Sequence, residues 1–149
     1  MFLTKGLLQK IIYYKNTNII IKGVNTELVD TLLIDSNVYT EYNTEYRCYK
    51  HIFCFNILKL TNKSDLLLLL KEICSCPDFF VGTTQKKIII LLNTDTINIQ
   101  LFQKINSLID KTYMSCLFII HISTTKLLVP SISSRFLIIN LPNKEIKDE

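Results

Sequence analysis

Lys86-Lys87-Ile88-Ile89-Ile90-Leu91-Leu92-Asn93 opens the stretch whose reading decides the fold, and Lys126-Leu-Leu-Val-Pro-Ser-Ile-Ser-Ser-Arg-Phe136 nears its close at Pro142. Between them lie Ile97, Leu101, Phe102, Ile105, Leu108 and Ile109 at helical spacing, then a second apolar run, Leu117 to Ile120. A β-branched run, an amphipathic helix and a second apolar run predict a βαβ unit. Its strands should be parallel, because a crossover helix joins them, and buried, because such sheets are covered by helices.

Working outward, the 149 residues suffice for one domain with a full hydrophobic core. Apolar residues make up 48% of the chain, yet no uncharged apolar run approaches the roughly 18 residues that would span a bilayer. The leucine-rich segment Ser64 to Cys76 is interrupted by Lys71 and Glu72. The apolar excess is therefore expected in a sheet covered on both faces. Met1 to Tyr14 reads as an amphipathic helix with Lys5 and Lys10 and no small-residue cleavage site, so an intracellular protein, cytoplasmic or nuclear, is expected, with no membrane partner.

Cysteines 48, 54, 74, 76 and 116 fall at irregular spacings, which predicts free structural thiols. Cys74-Ser-Cys76 lacks the second half of a tetrahedral set, so no metal is expected. His51 and His121 read as structural imidazoles, His121 at the end of a buried strand with no cysteine or acid partner at catalytic spacing. The net charge of +4 permits contact with nucleic acid without requiring it. The fifteen lysines are scattered, and only Arg47 and Arg135 could supply a bidentate fork.

Upstream, Leu3, Leu7, Leu8, Ile11 and Ile12 mark a first helical face, and Ile19-Ile20-Ile21 a short buried strand ending at Lys22-Gly23. Asn25 or Thr26 can cap a following helix that carries Leu28, Val29, Leu32 and Leu33. Strand, glycine turn and helix is the layout of a phosphate-binding loop. Its chemistry is absent, since a cradle needs several glycines followed by a lysine and a hydroxyl, and Gly23 stands alone. Glu27 and Asp30 further place negative charge where a helix dipole would otherwise favour phosphate.

Asp35 to Lys50 is polar, tyrosine-rich and without clear period, and reads as a loop whose Tyr39, Tyr42, Tyr46 and Tyr49 could stack on bases or cover a surface. Ile52 to Leu60 reads as a strand, and Ser64 and Asp65 as the start of a helix with its core at Leu66 to Ile73. Phe136 to Ile139 completes five strands. Residues 143–149 are a charged tail expected to fray.

On these residues the chain resembles the AAA+ core of clamp-loader subunits, that is, replication factor C small subunits and the bacterial delta-prime and tau/gamma subunits. That family has a helix ending in Ile-Glu-Lys or Leu-Glu-Glu, a sensor-1 strand beginning near Phe-Ile-Leu, then Leu-Leu-Pro-Thr-Ile-x-Ser-Arg-Cys. This chain has Ile109-Asp110-Lys111, Phe118-Ile119-Ile120 and Leu128-Val129-Pro130-Ser131-Ile132-Ser133-Ser134-Arg135-Phe136. Asp95 matches the last acid of the family's Asp-Glu-Ala-Asp, and the register from Asp95 to Arg135 needs no gap. The resemblance implies a three-layer α/β, P-loop NTPase-like domain over residues 1–142. Its five-stranded parallel sheet would have the order 5-1-4-3-2, with no lid or collar domain.

The departures bear on activity. Gly23, Val29 and Asp30 occupy a degenerate Walker A, with Val29 and Asp30 where the family has its phosphate lysine and hydroxyl. Leu92 and Asn93 stand in place of the magnesium-holding Asp and catalytic Glu of Walker B, and Ser123 takes the sensor-1 position. Without a carboxylate to hold magnesium or orient water, phosphoryl transfer loses positioning and charge stabilisation. The resemblance thus implies a non-enzymatic relative with no cofactor. Ser134-Arg135 survives at the position from which clamp loaders reach a neighbour's γ-phosphate, a task suited to arginine's planar fork.

Three functions follow from these readings. In the first, which the resemblance implies, the chain is expected to be an inactive, delta-prime-like accessory protein of DNA replication that contacts a clamp-loader or other replication ATPase and could supply Arg135 as an arginine finger in trans. Alternatively it is a non-enzymatic scaffold or adaptor that retains the fold as an interaction surface, with Arg135 incidental and free to pair with a local carboxylate. The third reading is a DNA-binding protein using its lysine face. The isoleucine-, asparagine- and lysine-rich composition suits an AT-rich genome, such as that of a large DNA virus.

Overall fold

β-branched and leucine-rich runs cannot stay in water and have no polar face to show it, so they pair side by side and bury both surfaces. In the computed structural model, which describes residues 18–23, 33–75 and 86–140, these runs form the centre of one sheet. The strands are β1 (Ile19–Lys22), β2 (Asn37–Glu41), β3 (Thr44–Tyr49), β4 (Ile52–Asn56), β5 (Lys87–Leu92), β6 (Cys116–Ile122) and β7 (Leu137–Asn140). Three helices lie among the described residues: α1 (Lys63–Ser75), α2 (Ile99–Lys111) and the single turn α3 (Pro130–Ser133). The helix expected over residues 1–14, most of the helix after Gly23, Pro77 to Gln85 and the charged tail lie outside the described residues.

Among the described residues the sheet has seven strands in the order β2-β3-β4-β5-β6-β1-β7, which corrects the expected five-stranded, all-parallel sheet in its count and in its order, extended beyond β4 by two antiparallel strands. Pairing is parallel from β4 through β5, β6 and β1 to β7, with the neighbours that the 5-1-4-3-2 order requires. The two added strands are antiparallel and sit beyond β4. They come from the tyrosine-rich segment expected to be a loop.

That segment is a hairpin because its ends are β-branched and aromatic and its middle can turn. Val38, Tyr39 and Thr40 pair with Arg47, Tyr46 and Glu45, and Glu41 pairs with Thr44. Tyr42 and Asn43, at φ 50° and 56°, form the two-residue turn, since left-handed residues match the twist of the flanking strands. Asn is a favoured residue there and Tyr is not. The other correction concerns Ile57 to Leu60, expected to continue the strand. β4 ends at Asn56, whose side chain accepts the Leu58 N–H and starts a 3-10 turn over Ile57–Lys59.

Alternation along the strands separates two apolar clusters. Ile20, Phe55, Ile89, Leu91, Phe118 and Ile120 pack against Leu66, Leu69 and Leu70 of α1 and Phe102, Ile105 and Ile109 of α2. Ile19, Ile21, Cys54, Ile88, Ile90, Leu92, Leu117 and Ile119 face the opposite side, where Leu33 joins them. Each fully buried side chain of this size contributes about 1.5–3 kcal/mol relative to exposure. α2 is started by Asn98, whose side chain accepts the Leu101 N–H, and α1 by Asn62, whose side chain accepts the Ser64 N–H. Cysteines 48, 54, 74 and 116 are free thiols. Among the described residues no helix is long and apolar enough to cross a membrane.

The hairpin is testable at its turn. Asn43→Val forces a β-branched side chain into the left-handed region and is expected to lower unfolding stability by about 1–2 kcal/mol. Asn43→Gly should leave it unchanged or raise it, as read from chemical-denaturation midpoints.

Candidate functional site

Parallel strands present their carboxyl ends on one edge, where open α/β sheets place ligand crevices. Here that edge carries Gly23 after β1, Asn56 at the end of β4, Asn93 after β5 and Ser123 after β6. It also holds His121, the only imidazole in a strand whose residues are all buried.

A buried imidazole must satisfy both nitrogens. His121 Nδ1 accepts the Asn93 N–H at 3.0 Å, which leaves Nε2–H to donate to the Gly23 carbonyl at 2.7 Å. The ring is therefore the neutral Nε2–H tautomer, fixed from both sides. Burial lowers its pKa below the ordinary value, while the Gly23 carbonyl and the Asp95 charge act in the opposite direction. One side chain thus ties β6 to the turns that leave its two neighbours, β1 and β5. Gly23 N–H donates to the Ile122 carbonyl at 2.9 Å and closes the same corner.

Asn93 can turn its N–H toward His121 because it adopts φ 59°, ψ 42°, a conformation asparagine tolerates better than most residues. Its side-chain amide donates to Asn56 Oδ1 at 3.0 Å. Leu92, one residue earlier, is buried in the apolar cluster. The 3-10 turn Thr94–Thr96 follows, with Thr94 Oγ1 bonded to the Leu91 carbonyl.

Asp95 faces the end of β6. Its Oδ2 accepts from the Ser123 and Thr124 hydroxyls at 2.9 and 3.0 Å and from their backbone N–H groups at 3.3 and 3.1 Å. Burial works to raise the carboxyl's pKa, but the Ser123 and Thr124 hydroxyls and nearby backbone donors outweigh it and hold it below the usual range. One oxygen of the Asp95 carboxylate is thereby locked to the Ser123–Thr124 turn, while its Oδ1 is buried without a hydrogen-bond partner among the described residues.

The predicted site residues divide between two edges. Gly23, Asn93 and Ser123 meet at the carboxyl edge, with Leu92 beneath them, whereas Val29 and Asp30 lie outside the described residues. Ser134 and Arg135 lie at the opposite edge, because β7 runs parallel to β1 and starts beside it. Pro130 begins the α3 turn, Ile132 anchors it in the core at 2% exposure, and Arg135 N–H donates to the Ile132 carbonyl. The Arg135 guanidinium pairs with Asp110 near the end of α2, and both side chains are about half exposed. A strand length, on the order of 15–20 Å, separates Arg135 from the His121 corner.

Asn56 is not legible as a site residue, since an asparagine at a strand end signals a turn equally well. His121 is visible as the one strongly polar residue of a buried strand, but its two partners are 28 and 98 residues away. Of the four tyrosines considered for base stacking, Tyr46 is buried, with its ring 5.2 Å from Phe55. Its hydroxyl donates to Glu41, and burial followed by that carboxylate raises its pKa. Among the described residues no group of three or more His, Cys, Asp or Glu side chains could hold a metal ion.

A solved structure of similar fold is a DNA polymerase III, gamma subunit-related protein from Thermotoga maritima. It superposes with a TM-score of 0.61 at 13% identity over 98% of this chain, which spans 48% of that protein. At this identity the likeness is one of fold. No protein-family model and no curated protein matches the sequence.

Two tests address the carboxyl edge. Because the His121 pKa is depressed in the fold, the unfolded chain binds the extra proton first. Stability is then full above about pH 6.5 and falls as pH drops from there toward the folded value. Denaturation midpoints of the native protein should decline through that window, and His121→Gln should flatten the decline. Asp95→Asn removes a charge-assisted acceptor and should cost about 1–3 kcal/mol in urea unfolding at neutral pH.

Proposed function

We propose that this chain is a non-hydrolysing, delta-prime-like accessory domain of DNA replication that docks on a replication ATPase and offers Arg135 to the nucleotide of that partner. The observation that carries the reading is the position of Arg135. It stands half exposed on a turn pinned by Ile132, at the edge of the sheet away from the chain's own Gly23 and Asn93. An arginine placed there cannot serve a nucleotide at its own carboxyl edge but can reach one on a neighbouring protein.

The Asp110 pair does not oppose this use. Exposed ion pairs contribute about 0–1 kcal/mol, so a partner's phosphate can displace the carboxylate at little cost and gains the bidentate fork. Asp110 then holds the guanidinium in place until the partner arrives. At the carboxyl edge, Leu92 and Asn93 offer no carboxylate for magnesium, and the Asn93 and Gly23 backbone groups are already bonded to His121. This supports a domain that works through another subunit's ATP.

A second reading, a scaffold or adaptor, is favoured by the same Arg135–Asp110 pair, which gives the arginine a partner within its own chain. The two separate in an ATPase assay with clamp-loader subunits. Stimulation by the native protein should fall by about 10³-fold in Arg135→Ala if the arginine acts on the transferred phosphate, and persist in Asp110→Asn. Equal stimulation by native protein and Arg135→Ala, or none by either, would sink the trans-finger role. Calorimetry with magnesium-ATP should show no micromolar binding to the chain itself.

A further inference from the structure

The hairpin that the fold adds beyond β4 ends in an edge strand of unusual openness. All five residues of β2 are exposed, with Val38 at 61% and Tyr39 at 46%, and among the described residues β2 is the last strand of the sheet on that side. Proteins blunt such edges with proline, lysine or a bulge. Asn37-Val38-Tyr39-Thr40-Glu41 contains no proline or lysine, its single charge at Glu41 is engaged by the Tyr46 hydroxyl, and its register with β3 is unbroken.

The hydrogen-bonding direction of each residue follows from the turn. Glu41 and Thr44 flank the two-residue loop and form a bonded pair, so alternation makes Tyr39–Tyr46 and Asn37–Cys48 bonded pairs as well. Val38 and Thr40 therefore direct their N–H and C=O groups outward, away from β3. A strand laid antiparallel on this edge must present its own outward residues at matching positions.

A second copy of β2 does so about a two-fold axis at Tyr39. Val38 then pairs with Thr40 of the other copy, and Thr40 with Val38, giving four backbone hydrogen bonds between outward-directed groups. Tyr39 meets its counterpart in the closer, non-bonded position.

The side chains suit the same register. On one face Phe55, Tyr46 and Tyr39 already form a ladder, with ring centroids 5.2 and 5.7 Å apart. The ladder stops at the edge with Tyr39 half exposed, and the two-fold continues it through the second Tyr39. Asn37 falls opposite Glu41, an amide against a carboxylate. On the other face, Arg47 lies beside Val38 and Glu45 beside Thr40, so each row across the two-fold carries one cation and one anion, and no like charges are opposed. Arg47 itself stays held within its own chain by Ser36 Oγ and the Leu33 carbonyl.

We infer that β2 is a self-association edge through which two copies of this chain join their sheets antiparallel about Tyr39. The contact is small, so the dimer is weak and concentration-dependent. It leaves Arg135, beside the first residues of β7 at the far side of the sheet, clear in both copies, and it does not rest on the role proposed for that arginine.

Sedimentation of this chain should show the average mass rising from monomer toward dimer between about 1 and 500 µM. Hydrogen exchange should show the Val38 and Thr40 amides gaining protection with concentration, while Tyr39 does not. Tyr39→Lys and Tyr39→Glu each set like charges on the two-fold and should stay monomeric, and an equimolar mixture of the two should recover the dimer. Thr40→Pro removes an outward N–H without touching the β3 ladder and should also be monomeric. A native protein that remains monomeric at the highest concentration overturns the inference. So does a dimer that persists in Tyr39→Lys and Thr40→Pro, which would place the contact elsewhere.

Discussion

A neutral imidazole buried between two strand ends sets the terms for the carboxyl edge of this protein. β6 is central and buried along its whole length, so His121 can remain there only if both ring nitrogens are bonded and the ring is uncharged. The Asn93 N–H and the Gly23 carbonyl meet that requirement. In doing so they hold Asn93 in its left-handed conformation and bring the exits of β1 and β5 together. The neighbouring Asp95 carboxylate, gripped by Ser123 and Thr124, completes an edge whose polar groups are mostly turned toward each other.

Three of the four boundaries of the sheet differ physically in what they present. The carboxyl edge is closed by internal hydrogen bonds, the opposite edge carries a pinned turn with a half-exposed Arg135, and the lateral edge at β2 leaves backbone donors and acceptors open. In a fold of this kind the apolar interior requires only volume and period, and many sequences supply both. That explains how a chain at 13% identity can superpose on a gamma subunit-related protein with a TM-score of 0.61. What such a domain does depends on its edges, where single residues matter and the interior imposes little.

Much of the interior is legible in the amino-acid sequence. Ile88 to Leu92 and Leu117 to Ile120 are continuous apolar runs of strand length, and Phe102, Ile105 and Ile109 repeat at helical spacing between them. The hairpin is not legible, because Tyr39 and Tyr46 look like scattered aromatics until Tyr42 and Asn43 are known to turn the chain. Of the site, Gly23, Asn93 and Ser123 stand out in the sequence for what they lack, the charges of a phosphate site. What they do instead, holding His121 and Asp95, depends on partners far along the chain. Asn56 carries no signal at all.

The sequence by itself determined the parallel centre of the sheet and its crossover helices, because periodicity and caps act over a few residues. Only the tertiary structure decided that β2 and β3 extend the sheet past β4, that His121 clasps Gly23 to Asn93, and that Arg135 rests on Asp110. Each of those joins groups whose separation along the chain is unrelated to their separation in space, and hydrogen bonds and ion pairs are made by distance, whatever the order of residues.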